Sequence, residues 1–142
     1  LPLKVVGQGK MLEKLKERAG PTVEFWEEIN DEKLAKLYQG ATALLYPVED
    51  EDFGIVPVEA MGYGLPVIAH RSGGPKETIV EDKTGVFFDE LSIDSLVSAM
   101  DRAKEISWDS KKIHTHAKNF QKQRFQKEMS DLVNVWLKKM ND

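Results

Sequence analysis

The stretch Ala41-Thr42-Ala43-Leu44-Leu45-Tyr46-Pro47-Val48-Glu49-Asp50-Glu51-Asp52-Phe53-Gly54-Ile55-Val56-Pro57-Val58-Glu59-Ala60-Met61 decides how this chain is read. Ala41 to Tyr46 is a short run without polar alternation, which predicts a strand covered on both faces, as in a parallel sheet. An acidic loop follows, and then a helix from about Ile55 to Tyr63. Gly54 stands where that helix begins. Pro57 falls in its first turn, where a missing N–H costs little.

The same alternation extends in both directions. Upstream, Leu3-Lys4-Val5-Val6 reads as a strand broken by Gly7-Gln8-Gly9. A helix with Met11, Leu12, Leu15 and Ala19 on one face follows, stopped by Gly20-Pro21. Val23 to Trp26 is a second strand, and Asn30 suits the N-cap of a helix carrying Leu34, Ala35, Leu37 and Tyr38, ended near Gly40. Downstream, Pro66-Val67-Ile68-Ala69 is a fourth strand, a short helix lies near Pro75–Val80, and Val86-Phe87-Phe88 is a fifth. Ser92 caps a helix whose Ile93, Leu96, Val97, Met100 and Ala103 share a face. The last segment places Phe125, Met129, Leu132 and Trp136 at i, i+4, i+7 and i+11, and both stripes are expected to be core. The expected fold is α/β: a parallel sheet with helices on both faces, joined by crossovers. Ligands in such sheets sit beyond the carboxyl ends of the strands, here just after Val6, Trp26, Tyr46 and Ala69.

Composition narrows the function classes. The 142 residues are 41% hydrophobic and 31% charged, as in a globular domain, with no apolar run of membrane-spanning length and no signal peptide. Without cysteine there is no disulfide framework and no thiolate metal site. A net charge of −4 argues against a nucleic-acid binder. The charge is uneven: residues 1–105 carry 12 Lys+Arg against 20 Asp+Glu, residues 106–142 carry 8 against 4. The basic tail reads as a solvated helix face or as a peripheral contact with an anionic membrane. The chain opens Leu1-Pro2 without Met, so it is expected to be a piece of something longer.

The candidate chemistry lies at the start of the helix after the third strand. The amides of Gly54, Ile55 and Val56 would point out of its N-terminus, a ready site for a phosphate. Glu59 lies about one turn further in, roughly 6 Å along the axis, a distance at which a carboxylate can accept from ribose hydroxyls. Glu51, before the helix, could reach a sugar hydroxyl beyond the phosphates. In the competing reading Glu59 merely stabilises the helix dipole and Glu51 is solvated. Lys10, Arg71 and Lys76 are candidate cations near strand ends. His114 and His116 point to different helix faces and make a poor metal pair. His70 ends the fourth strand, where it could touch donor or acceptor but is expected to be ordinarily exposed, and Trp26 either packs in the core or stacks on a base.

Glu51-Asp52-Phe53-Gly54-Ile55-Val56-Pro57-Val58-Glu59-Ala60-Met61 and the following Gly62-Tyr63-Gly64-Leu65-Pro66-Val67-Ile68 closely resemble the glutamate–seven–glutamate signature of glycosyltransferase family 4. Val6-Gly7-Gln8-Gly9 resembles the family's glycine loop, Val23-Glu24-Phe25 with Asp31–Leu34 and Tyr38 its strand and helix before the signature, and Gly73-Gly74-Pro75-Lys76-Glu77 its diglycine–glutamate element. The resemblance covers roughly residues 3–105. It implies a three-layer Rossmann-like domain, the donor-binding half of a retaining GT-B enzyme. Residues 1–105 would be that domain, lacking its first strand and a loop that supplies an Arg and a Lys to the diphosphate. Residues 106–142 would be carboxy-terminal helices packing on the same domain. By the resemblance, Glu51 contacts the donor hexose and is the candidate catalytic residue. Phe53 and Gly54 meet the sugar, Ile55 and Val56 the diphosphate, and Glu59 the ribose. Gly7, Gly9, Gly73 and Gly74 complete the donor contacts. Glu27 stands where the family usually has Gly.

The implied reaction transfers a hexose, with a lean to mannose as in surface-polysaccharide assembly, from a nucleotide-diphosphate sugar. The acceptor would be a saccharide or a lipid-linked molecule, bound by an amino-terminal domain outside this chain. No cofactor and no metal are implied, and the isolated chain is expected to be inactive. The expected location is cytoplasmic or peripheral at the inner membrane face. Two other readings of the acidic loop compete. One is a metal-dependent glycosyl or phosphoryl transferase using Asp50-Glu51-Asp52. The other is a receiver-like signalling domain with Asp50 as phosphoacceptor, which would need an acidic pair where Gly7-Gln8-Gly9 stands.

Overall fold

A computed structural model describes residues 1–141, so Asp142, at the end of the expected carboxy-terminal helices, lies outside the described residues. The chain forms two compact units, Leu1–Gly40 and Ala41–Asp142. In the first, β1 (Leu3–Val6), α1 (Leu12–Arg18), β2 (Val23–Trp26) and α2 (Asp31–Gly40) follow in order. β1 and β2 pair in parallel, with Val5 opposite Phe25 and Val6 opposite Trp26. The predicted Asn30 cap is present, its side-chain oxygen accepting the Lys33 amide at 3.0 Å.

The second unit carries β3 (Leu44–Tyr46), α3 (Ile55–Gly62), β4 (Val67–His70), α4 (Pro75–Thr78) and β5 (Gly85–Phe88). α5 (Ile93–Glu105), α6 (Ser110–Ala117), a 3₁₀ turn (Lys118–Phe120) and α7 (Lys122–Asn141) complete it. The three strands are parallel in the order β3-β4-β5, and every residue of β4 and β5 is buried. That is the environment their unalternated sequences require. α5 covers the face bearing Ile68, Val86 and Phe88, bringing Ala99 and Ala103 against them. Val67 and Ala69 point the other way by the pleat, and α3, with buried Pro57, Ala60 and Met61, packs on β3 and β4. Ser92 caps α5 as expected, accepting the Ser95 amide at 3.2 Å.

α6 packs on α3, with Ile113 wholly buried. His114 and His116 fix this packing. Their ring nitrogens lie 2.5 Å from the Gly62 carbonyl ending α3 and 2.8 Å from the Thr78 carbonyl ending α4. Carbonyls at helix C-termini lack intrahelical donors, so an imidazole N–H there satisfies an orphan acceptor. α7 departs from expectation. Phe125 and Trp136 are each 63% exposed, and Met129 and Leu132 are exposed too, so this stripe is amphipathic but not core within the described residues. Periodicity reports that a helix has an apolar face, and what covers that face is decided elsewhere.

Glu81 ties the ends of β4 and β5 to α5. Its carboxylate accepts from Arg71 and Arg102 and from the Phe87 amide. Arg71 also donates to Asp89 and lies over the Phe87 ring. Burial alone would raise the Glu81 pKa; the Phe87 amide and the two guanidiniums outweigh it and hold the group below its ordinary 4.5.

Ile113→Ala is expected to cost about 2–4 kcal/mol through the cavity it leaves, while Trp136→Ala costs under about 0.5 kcal/mol; urea unfolding of the two variants checks the contrast. Because the Glu81 carboxyl is depressed in the folded state, its contribution to stability is present above pH 4.5 and is lost as pH falls through the lower folded value. The stability advantage of the parent over Glu81→Gln should therefore shrink on acidification below that pH in thermal melts.

Candidate functional site

Everything that the sequence assigned to the acidic loop and its helix falls in the second unit. β3 ends at buried Tyr46, and the chain then runs exposed through Pro47–Asp50. Gly54 opens α3 in the left-handed region, at φ 79° and ψ 62°, and is itself buried. A side chain at that φ would be strained, which accounts for glycine there. A glycine N-cap also brings no side-chain acceptor to compete for the helix amides. The first intrahelical contact recorded at this end is the Val58 amide on the Gly54 carbonyl, at 3.5 Å. The amides of Ile55 and Val56 have no intrahelical acceptor by helix geometry. Ile55 is 62% and Val56 39% exposed, so the helix mouth is open.

Glu59 lies one turn deeper, exposed, on the face that also carries Ile55. Together with Phe53, Ile55, Val58, Phe120 and Arg124 it lines a groove of about 1080 Å³. Phe53 meets Phe120 edge-on within its lining, their centroids 6.1 Å apart.

Glu51 is half-buried and held differently. Its backbone carbonyl accepts the Gly74 amide at 2.7 Å, and its carboxylate lies beside the Tyr46 hydroxyl. Burial, and after it the Glu51 charge, push the Tyr46 phenol's pKa up. The diglycine is explained by this crossing of chains. A Cβ on Gly73, whose φ is +52°, would lie 2.2 Å from the Glu51 carbonyl oxygen, and one on Gly74 would lie 2.4 Å from that of Phe53. The faces of both glycines are thus occupied by the backbone of the loop that carries Glu51.

The cations at the strand ends divide. Arg71 is engaged by Glu81 and Asp89 and is not an uncommitted partner for a diphosphate. Lys76, at the start of α4, is exposed. His70 overturns the expectation of ordinary exposure: it is 7% exposed, packed 5.5 Å from the Phe88 ring and hydrogen-bonded through both nitrogens. The reason is register. His70 lies opposite Phe88 in the β4–β5 pair, inside a sheet covered on both faces.

In the first unit Gly7 and Gly9 follow β1, with open space where side chains would project. The Gly7 amide donates to the Trp26 carbonyl at 3.0 Å. Gln8 reaches Glu28 at 3.0 Å, and Lys16 of α1 grips Glu27 at 2.5 Å, so the loop after β2 is pinned by side chains on both sides. Trp26 is half-buried, with the Lys4 ammonium 5.5 Å from its ring centroid. Lys10 is exposed.

Phe53, Gly54, Ile55, Val56 and Glu59 thus come together at one helix mouth, with Glu51 on the same loop but outside the groove. Gly73 and Gly74 support that loop from below. Asp50, Glu51 and Asp52 do not converge with a further carboxylate or histidine: among the described residues no three such groups form a cation cage. Sequence reasoning passed over Ser72, whose hydroxyl contacts the loop; its position before the diglycine was the only signal.

Comparison with known proteins is consistent with this geometry. The profile of the family described as glycosyl transferases group 1 matches residues 1–123. The chain is 43% identical over 94 residues to the GDP-Man:Man(3)GlcNAc(2)-PP-Dol alpha-1,2-mannosyltransferase of Xenopus laevis, covering 63% of this chain and 19% of that protein. It is 33% identical over 113 residues to the alpha-1,3/1,6-mannosyltransferase ALG2 of Dictyostelium discoideum, covering 79% of this chain and 27% of that one. The chain therefore spans about a fifth to a quarter of the length of these relatives. Among solved structures, the apo form of the lipopolysaccharide outer core galactosyltransferase WaaB superposes with a TM-score of 0.81 at 23% identity, over 94% of this chain and 40% of that one. The fold is one Rossmann-like half of the GT-B architecture.

Proposed function

This chain belongs to the glycosyl transferases group 1 family, and from that premise we propose that it is the donor-binding half of a retaining glycosyltransferase. It would bind a nucleotide-diphosphate sugar and present the hexose to a saccharide or lipid-linked acceptor held by another part of the enzyme. The observation that carries the reading is the open mouth of α3, with an exposed carboxylate one turn inside it and a second on the loop before it. Unpaired amides at a helix N-terminus favour an anion. The Ile55 and Val56 amides would take the diphosphate, Glu59 the ribose hydroxyls and Glu51 a hexose hydroxyl. Phe53 and Gly54 would meet the sugar through their backbone. In this reading Gly73 and Gly74 serve the donor by seating the loop.

When the glycosidic bond to the nucleotide breaks, negative charge grows on the leaving β-phosphate. Amides already aimed at that position stabilise it without reorganisation, and such preorganised dipoles are the largest catalytic contribution at sites of this type. Glu51 then orients the hexose while the acceptor hydroxyl attacks from the face the nucleotide leaves. The nucleotide sugar is a substrate, and the reading assigns no separate cofactor.

Mannose is the favoured hexose, a choice supported by the mannosyltransferase names of the relatives and by the likeness of Glu51–Ala60 to mannosyltransferase signatures. Among the described residues no helix is long and apolar enough to cross a membrane. The basic segment Ser110–Lys127 and the exposed apolar face of α7 support a cytoplasmic enzyme in peripheral contact with an anionic surface, where a lipid-linked acceptor would lie.

In the complete enzyme Glu59→Ala is expected to raise the donor KM by roughly 10–100-fold, the scale of one or two hydrogen bonds to a charged group. Glu51→Ala is expected to lower kcat by at least as much. Steady-state kinetics that survive both changes would reject the assignment. A binding screen with GDP-mannose, UDP-glucose and UDP-galactose is expected to rank GDP-mannose first; another rank order would remove mannose while leaving the site intact.

A further inference from the structure

The loop that carries Glu51 is fastened by side chains that the donor-binding reading does not use. Ser72 lies between β4 and the diglycine, and its hydroxyl oxygen accepts the Asp50 amide at 3.1 Å. Asp50 is one of two non-glycine residues at positive φ among those described, at 54°. A conformation of that kind persists only when its surroundings hold it. The Ser72 hydroxyl is in turn 3.0 Å from Nδ1 of His70, whose Nε2 is 3.3 Å from the Asp89 carbonyl. A carbonyl only accepts, so Nε2 carries the proton. In the neutral ring with that tautomer Nδ1 is an acceptor, and the Ser72 O–H donates to it at 3.0 Å in preference to the Val48 carbonyl at 3.5 Å. The shorter contacts link the Asp50 amide to Ser72, Ser72 to His70, and His70 to the Asp89 carbonyl just after β5. His70 is buried against Phe88, which fixes the ring that anchors the series.

We propose that Ser72, anchored by His70, is a positioning residue for Glu51. Its hydroxyl holds the Asp50 amide, and with it the strained turn immediately before Glu51, at the geometry in which the Glu51 carboxylate meets the donor hexose. The proposal rests on the donor-binding reading of Glu51. A second tie, from the Gly74 amide to the Glu51 carbonyl at 2.7 Å, sets the height of the loop over the diglycine. The Ser72 tie sets its twist one residue earlier. Since the diphosphate and ribose contacts lie on α3, loosening the turn should impair turnover more than donor affinity.

The test is a double-mutant cycle in the complete enzyme, with thermal unfolding recorded for every variant. Ser72→Ala is expected to lower kcat about five- to tenfold, the scale of one lost hydrogen bond, with little change in donor KM. Ser72→Thr, which keeps the hydroxyl, should restore most of the rate. In a Glu51→Ala background Ser72→Ala should have no further effect on kcat. If Ser72→Ala costs the same with and without Glu51, or if Ser72→Thr is as impaired as Ser72→Ala while remaining folded, the positioning role is overturned and the donor site stands. If Glu51→Ala itself leaves kcat and KM unchanged, both the donor reading and the positioning role fall together.

Discussion

Two backbones cross in contact where the loop Glu51–Phe53 passes over Gly73–Gly74, and the rest of the site depends on that crossing. A methyl group on either glycine would fall within 2.4 Å of a carbonyl oxygen of the loop, well inside van der Waals contact. The Gly74 amide instead donates to Glu51, turning close approach into a hydrogen bond. The crossing joins the end of β4 to the loop after β3, so the acidic loop is seated at the end of the central strand of its sheet. From there Gly54 turns the chain into α3, and the helix mouth acquires a fixed place relative to Glu51.

Electrostatics then divides the work among the charged residues. The α3 amides face outward without a capping side chain, while the opposite ends of α3 and α4 are satisfied by His114 and His116. The positive pole is left available and the negative poles are not. Arg71, the most conspicuous cation beside the site, belongs to the Glu81–Asp89 cluster that locks β4, β5 and α5. Within this chain, charge neutralisation of a bound diphosphate would therefore fall mainly to the helix amides and to exposed lysines.

Much of this was legible before the structure. The unalternated strands, the Asn30 and Ser92 caps, and the glycine and proline at the head of α3 each follow from local stereochemistry, and each was found where expected. The helix expected to carry the second glutamate of the signature, ahead of the fourth strand, is present as α3. The misreadings share one cause. His70 was expected at the surface because its type is usually exposed there, but pairing opposite Phe88 inside the sheet buried it. The α7 stripe was expected in the core because its period is helical, yet its aromatic residues remain exposed in this chain.

By itself the sequence determined the order of strands and helices, their caps, and which carboxylates flank the head of α3, because these depend on neighbours a few residues apart. Only the tertiary structure decided which cations are already committed, that the diglycine serves a chain crossing, and that Ser72 and His70 brace the Asp50 turn. Those contacts join residues 2 to 23 positions apart, and their existence depends on strand register and packing, which no local pattern encodes.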